Sequence, residues 1–288
     1  MIDSDKQFFA RPITEIITSR RSVRTYLGNP LTDGLKQRIS EYIKEIQARA
    51  DIEARFELID SDVALNTNGA RLGTYGVIKG ASSYIIPAVN IKTDNIERFG
   101  YLFEKVILFA ASIGLGTCWM AMTFKGHEFA QAIGLKPDEF IPIVTPIGYP
   151  KNVTRPIDAI FRLSAGSNSR KDWNQIFFNG DFTRPLNRDE SRDYTMALEM
   201  LRLAPSASNH QPWRIVKDNN TFHFYLQRTK GYRNKYVYDI QRLDVGIAMC
   251  HFELTLNEMG IKGTWLPQEP RIKNVPDETL YITSWVRE

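Results

Sequence analysis

The apolar positions of the chain fall alternately into helical and strand periods. Ile13, Ile16 and Ile17 share one face of a helix predicted to open near Pro12, a residue suited to a first turn where no N–H is needed. That helix runs into the basic segment Ser19-Arg20-Arg21-Ser22-Val23-Arg24, and Gly28-Asn29-Pro30 breaks the chain. Leu31-Thr32-Asp33 supplies the cap of a second helix, predicted to reach about Ile46. Phe56 to Ile59 and Tyr84 to Ile91 read as strands. Pro87, which offers no N–H to a ladder, marks the second as an edge or distorted strand. A long apolar helix is predicted from about Tyr101 to Ile113, ending at Gly114-Leu115-Gly116, and a polar, basic stretch follows from Tyr149 to Lys171.

Much of this plan then recurs. Pro30-Leu31-Thr32-Asp33 is echoed 155 positions later by Pro185-Leu186-Asn187-Arg188, leading into a helix predicted over Asp189 to Leu203. The strand Phe56 to Ile59 is echoed by Trp213 to Val216. The helix end Ile113-Gly114-Leu115-Gly116-Thr117-Cys118-Trp119 is echoed by Met259-Gly260-Ile261-Lys262-Gly263-Thr264-Trp265, with the tryptophans 146 positions apart. The order of elements is kept, which predicts a divergent internal duplication. The copies differ in their polar motifs. Only the first has Arg-Arg-Ser-Val-Arg, and only the second has Ala204-Pro205-Ser206-Ala207-Ser208-Asn209-His210-Gln211-Pro212-Trp213.

Composition narrows the class. A length of 288 residues, 43% of them hydrophobic, excludes wholesale disorder and allows a sizeable core without disulfides. The longest apolar-and-small run, Val106 to Gly116, is about half of the roughly twenty residues a membrane helix needs, and the opening segment has no signal-peptide pattern. Neither a membrane segment nor a membrane partner is expected. Cys118 and Cys250 form no CxxC pair and are expected to be reduced and buried, which fits a cytoplasmic protein. His127, His210, His223 and His251 show no ligand spacing, so no metal is expected. A net charge of +4 is too small to argue for nucleic acid, but it suits a modestly anionic ligand.

Three arginines and a serine within five residues can surround a phosphate, with guanidinium forks on its oxygens. A solvated helix end favoured by the macrodipole gives the same spacing. In the second motif Pro205 and Pro212 stiffen a turn that presents Ser206, Ser208 and Asn209, and the Asn209 and Gln211 amides suit the edge of a planar heterocycle. A plain loop leading into a buried Trp213 is the alternative. Gly114-Leu115-Gly116 closes a helix rather than opening one, so a Rossmann nucleotide site is not supported.

Together, RRSVR, PSxxNxQPW and GLGTCW resemble the FMN-dependent nitroreductase family, over about residues 12 to 266, in a single-chain form with two fused half-copies. The resemblance implies an α+β nitroreductase-like fold, an internal pseudo-dimer of two three-layer α/β/α half-repeats with largely antiparallel sheets. The first half would cover residues 1–180 and the second, shorter half residues 181–288. It implies that Arg20, Arg21, Ser22 and Arg24 contact the flavin phosphate, ribityl and pyrimidine side, and that Pro205, Ser206, Ala207 and Asn209 line the flavin from the other half. Gln211 and Trp213 would support that loop. Phe124-Lys125-Gly126 stands where the family has a Glu-Gly turn at flavin N5, with Lys125 replacing Glu beside Gly126. Arg170 and Lys171 would add cations at the phosphate.

The chemistry would then rest with one FMN per chain and NAD(P)H as co-substrate, the protein positioning the cofactor. No catalytic acid or base is nominated; Cys118, Tyr75 and His210 receive structural roles. The expected function is ping-pong reduction of nitroaromatics, quinones or similar small electron-poor oxidants. The alternatives are a flavin-handling or dehalogenating enzyme on the same fold and a non-enzymatic FMN-binding protein. A nucleic-acid binder ranks last. A fused pseudo-dimer needs no second subunit to complete a site.

Overall fold

The computed structural model describes residues 8–61, 72–90, 92, 95–152, 169–232 and 238–288. Residues 153–168, most of the polar stretch after Tyr149, lie outside the described residues. Helix α1 spans Ile13–Ser19 with Pro12 at its N-cap, and its three isoleucines are buried. Glu258 caps it from across the molecule, accepting the Ile13 N–H and the Thr14 hydroxyl, the latter at 2.9 Å. Helix α2 spans Asp33–Ala48, and its Thr32 cap accepts the Leu35 N–H at 3.4 Å.

Strands β1 (Ala54–Asp60) and β2 (Ser83–Asn90) lead to helix α3 (Ile96–Ser112). β3 (Gly116–Thr117), helix α4 (Gly126–Ala132), β4 (Glu139–Phe140) and β5 (Thr145–Gly148) follow. These strands form one antiparallel sheet in the order β1-β2-β5-β3, with β4 also on β2. α3 starts five residues before the expected Tyr101, because Asn95 caps the Arg98 N–H at 3.0 Å ahead of the apolar run. Pro87 corrects the reading of β2 as an edge strand. Pro87 faces Phe56 of β1, and on its other side β2 meets β5 only at Ser83 to Ile85 and β4 only at Val89 and Asn90. The proline sits in the gap between those partners, where no N–H is asked for.

Helix α5 (Trp173–Ile176), β6 (Phe177–Asn179), helix α6 (Arg188–Ser191) and helix α7 (Thr195–Arg202) open the rest of the chain. They are followed by β7 (Trp213–Asp218), β8 (Thr221–Gln227), helix α8 (Ile240–Glu258), β9 (Gly263–Leu266) and β10 (Thr279–Arg287). The continuous helix expected over Asp189 to Leu203 is instead broken at Arg192, whose φ is +49°. The Ser191 hydroxyl donates to the Arg188 carbonyl and the Thr195 hydroxyl to the Arg192 carbonyl, so side chains take acceptors that a continuous helix would use. The second sheet runs β6-β7-β8-β10-β9. Without β6 its path repeats that of the first sheet. β6 precedes residue 180, yet it pairs in parallel with β7 of the second sheet.

α3 and α8 cross at the centre, where two glycines bring the backbones together. A Cβ on Gly100 would stand 2.3 Å from the Leu243 carbonyl oxygen, and one on Gly246 would stand 1.8 Å from the Glu97 carbonyl oxygen. Gly246 follows Gly100, and Leu243 follows Glu97, by 146 positions, the offset of the two tryptophans. The crossing is reciprocal, as a two-fold pseudo-dimer requires. Side chains sort by alternation: Ile85 and Val89 of β2 enter the central core while Tyr84 and Ile86 face a second cluster with Phe129 of α4. Trp213 and Ile215 of β7 and Phe222, Phe224 and Leu226 of β8 face the same central core. On the outer face of the second sheet Val216, Tyr225 and Phe182 meet Ile272 from coil rather than a helix.

Candidate functional site

Arg20 closes α1, donating its N–H to Ile16 at 2.9 Å, and then turns extended with ψ 132°. Ser22 bridges Thr117, the Val23 N–H donates to the Thr117 carbonyl at 2.8 Å, and Thr25 bridges Lys79. The basic segment is therefore pinned beside β3, the strand that carries the GTCW ending. Ser22 and Arg24 are half-buried and Arg21 is exposed. The Arg20 Nε and Nη1 atoms are buried with no partner among the described residues.

The loop from Leu203 to Pro212 joins α7 to β7 and is strained. Ser208, Asn209 and Gln211 adopt φ values of +49°, +55° and +48°, each costing about 1–2 kcal/mol for a residue with a Cβ. Such a shape persists only where its surroundings over-determine it. The Gln211 N–H donates to Ser206 Oγ at 2.9 Å, and Ser208 Oγ meets Tyr232 OH at 3.0 Å. Gln211, only 3% exposed, donates through Nε2 to the Asn209 carbonyl at 3.1 Å and accepts the Lys171 N–H at 2.8 Å. Asn209 donates to the Ser169 carbonyl at 3.0 Å and accepts from Arg170 at 3.1 Å. Trp213 is fully buried. On the side toward α8, the Ala207 N–H donates to Asp244 Oδ1 at 3.0 Å.

Sequence-distant cations converge here. Burial, and then Arg20 and Arg202, push the Arg170 pKa down, so Arg20 of the first motif lies within charge–charge range of Arg170. Burial and then Arg214 push the Lys171 ammonium down to about 8, and burial pushes Arg214 down to about 10. Lys171 Nζ donates to the Gln211 carbonyl at 3.3 Å, and Arg214 donates to the Gln211 and Trp213 carbonyls at 3.0 and 2.6 Å. Among the described residues Arg20, Lys171 and Arg214 make no salt bridge, whereas Arg202 is paired with Glu199 at 2.5 Å. A region of partly desolvated positive charge with no carboxylate on these three is built to take an anion.

Lys125 and Gly126 open α4 in a separate group of contacts. Lys125 Nζ pairs with Glu128 at 3.0 Å, the Lys125 N–H donates to the Gly73 carbonyl at 2.9 Å, and the Gly73 N–H donates to Glu128 at 2.6 Å. Glu128 raises the Lys125 pKa, so that ammonium stays charged. Sequence reasoning missed Arg214 and Asp244. Arg214 follows Trp213 directly and was findable as one more cation in the motif; Asp244 is distant in sequence and carries no local signal. Cys118 and Cys250 are buried and form no disulfide among the described residues. Among the described residues no group of His, Cys, Asp and Glu is arranged to hold a metal, and no helix is long and apolar enough to cross a membrane.

An α+β pseudo-dimer with two largely antiparallel sheets defines a class, and comparison with known proteins places the chain in it. The family described as "Putative TM nitroreductase" matches residues 12–256, and the chain belongs to that family. It is similar in fold to a "putative nitroreductase" from Thermotoga maritima MSB8, at 21% identity over 96% of this chain and 94% of that one, with a TM-score of 0.58. A nitroreductase family protein from Clostridium novyi NT matches 52% of this chain over 91% of its own length, at 19% identity and a TM-score of 0.38. An FMN-dependent nitroreductase from Clostridium difficile R20291 matches 49% of this chain over 88% of its own length, at 15% identity and a TM-score of 0.37. No curated protein matches the chain.

Proposed function

We propose that the protein is an FMN-dependent oxidoreductase that uses NAD(P)H to reduce nitroaromatics, quinones or similar electron-poor small molecules. The observation that carries this reading is the attachment of Arg170, Lys171 and Arg214 to Asn209 and Gln211 of one loop, with Arg20 within charge–charge range of Arg170 and no salt bridge on Arg20, Lys171 or Arg214 among the described residues. FMN fits such a site: its phosphate is a compact anion, and its ring is a planar heterocycle with hydrogen-bonding edges. Arg20, Arg170 and Lys171 would hold the phosphate, with Arg21, Ser22 and Arg24 along the ribityl and pyrimidine side. Pro205, Ser206, Ala207 and Asn209 would line the ring, and the backbone at Lys125 and Gly126 would face its reactive edge. When bound, FMN supplies a two-electron carrier between NAD(P)H and the oxidant. The chain's own part is to bind, to orient through the preformed loop, and to keep Lys125 charged beside Glu128.

The same reading takes the two halves, 1–180 and 181–288, as a fused duplication in a cytoplasmic enzyme whose partner is its small-molecule oxidant. The absorbance spectrum of the purified protein, with chromatography of heat-released cofactor, tests it. FMN rather than FAD is expected, reduced by NADH or NADPH under anaerobic conditions. A colourless protein that takes up no added FMN would overturn the reading; a yellow protein that neither nucleotide reduces would leave a flavin-binding protein and remove the enzyme.

A further inference from the structure

We propose that Asp244 is the positioning residue of the 204–212 loop, the clasp that transmits the geometry of the helix crossing to the cofactor site. This rests on the FMN reading only for what the loop serves. Asp244 is 2% exposed, its Oδ1 accepts the Ala207 N–H at 3.0 Å, and its Oδ2 is buried with no partner among the described residues. It makes no salt bridge among the described residues. An acid placed in a core for stability alone would be a poor choice, because an unpartnered buried carboxyl oxygen carries its full desolvation penalty. What this acid does instead is reach one backbone donor on the side of the loop that faces α8.

Its position on α8 explains why that reach matters. Asp244 is flanked by Leu243, whose carbonyl oxygen lies against Gly100, and by Gly246, which lies against the Glu97 carbonyl. This stretch of α8 is fixed to α3 backbone against backbone, and Ala207 is tied to it through Asp244. Ala207 stands immediately before Ser208 and Asn209, two of the three residues held at positive φ. A loop carrying about 3–6 kcal/mol of backbone strain relaxes where its restraints are weakest. The other restraints, from Ser169, Arg170, Lys171 and Tyr232, hold its far side. Asp244 holds the near side. Burial first, with Asp239 adding to it against the opposing Ala207 N–H, pushes the carboxyl well above its ordinary range. Holding the Ala207 N–H needs one acceptor oxygen and no charge, and asparagine supplies that oxygen.

The test compares Asp244→Leu, which keeps the branched shape and removes the acceptor, with Asp244→Asn, which keeps both. Amide hydrogen exchange of apo-protein reads the loop directly, and equilibrium titration with FMN reads its consequence. In Asp244→Leu, exchange over 204–212 should rise by about tenfold and the FMN Kd should weaken by about tenfold, the scale of one buried N–H left unpaired. Asp244→Asn should restore both to within about twofold, which a role in charge or in bulk packing would not do. Unchanged loop exchange in Asp244→Leu, or an Asp244→Asn variant as loose as Asp244→Leu, overturns the proposal. Should Asp244→Leu not fold, Asp244→Ala carries the same comparison. A wild-type protein that binds no FMN ends the cofactor reading, while the exchange contrast still decides Asp244.

Discussion

At the α7–β7 junction Asp244 takes a backbone N–H of a ten-residue strained loop, and Arg20, Lys171 and Arg214 make no salt bridge among the described residues. At the α2–β1 junction the corresponding helix position, 146 residues earlier, is Arg98, and it pairs with Asp51 at 2.6 Å. There the connection runs only from 49 to 53, none of its residues has positive φ, and Arg49 pairs with Glu45. The two halves still enclose a cleft of about 580 Å³ at that place, lined by Arg98, Tyr101, Glu253 and Trp265 among others. Its charges are mostly spent on each other: Asp51 with Arg98, Glu45 with Arg49, and Tyr101 hydroxyl with Glu253. The tryptophans differ in the same sense. Trp119 Nε1 donates at 2.9 Å to Glu104, which also meets buried His251 at 2.9 Å; Cys250 stands at the position equivalent to Glu104, and Trp265 Nε1 has no partner among the described residues. Anion binding needs charge left uncompensated, and of the two junctions it is the α7–β7 one whose cations Arg20, Lys171 and Arg214 make no salt bridge among the described residues.

The largest effect expected is all-or-none. Titration of apo-protein with FMN should saturate at one equivalent per chain; two equivalents of similar affinity would erase the contrast between the junctions. Next comes the element both junctions share. Gly246→Ala puts a methyl within 1.8 Å of the Glu97 carbonyl and should lower stability by about 3 kcal/mol, the upper part of the usual overpacking range, seen as a lower urea midpoint with cofactor absent. Arg20→Ala should weaken FMN binding by about 1.5–3 kcal/mol while leaving the apo-protein's thermal midpoint nearly unchanged. Lost fold with unchanged FMN affinity would make Arg20 a helix-end charge and no more.

The pH dependence is smaller. Lys171 titrates near 8 in the free protein, and an anion bound beside it raises that value. Above about pH 7, where the phosphate monoester is already dianionic, FMN affinity should fall as pH rises through 8, and Lys171→Arg should flatten the decline. An affinity that rises with pH over that range would place the phosphate away from Lys171. The smallest effect belongs to the counterpart junction. Arg98→Ala removes a partly exposed ion pair and should cost about 0.5–1 kcal/mol of stability with no change in FMN binding. A large loss of FMN affinity there would show that both junctions take the cofactor.

Local elements were legible where one residue type settles the backbone. Thr32 announced α2, the three isoleucines of α1 pointed inward, and the motif around Gln211 and Trp213 marked a loop entering a buried strand. Misreadings arose where a neighbour decided. Pro87 reads as an edge residue until its gap between β4 and β5 is seen, and the break at Arg192 depends on which carbonyls the Ser191 and Thr195 hydroxyls choose.

The same division holds for the site. Residue identities and spacing by themselves determined that two half-plans recur at offsets near 150, that the basic motif lies in one and the loop motif in the other, and that the chain resembles flavin-binding nitroreductases. Periodicity and motif chemistry are local properties, so a linear reading reaches them. Only the tertiary structure decided that Arg20 comes within charge–charge range of Arg170, that Gly100 and Gly246 bring α3 and α8 into backbone contact, and that Asp244 fastens Ala207. Each joins positions between 37 and 150 residues apart through burial and close packing. The desolvation and contact that give those residues their roles exist only once the chain has folded around them.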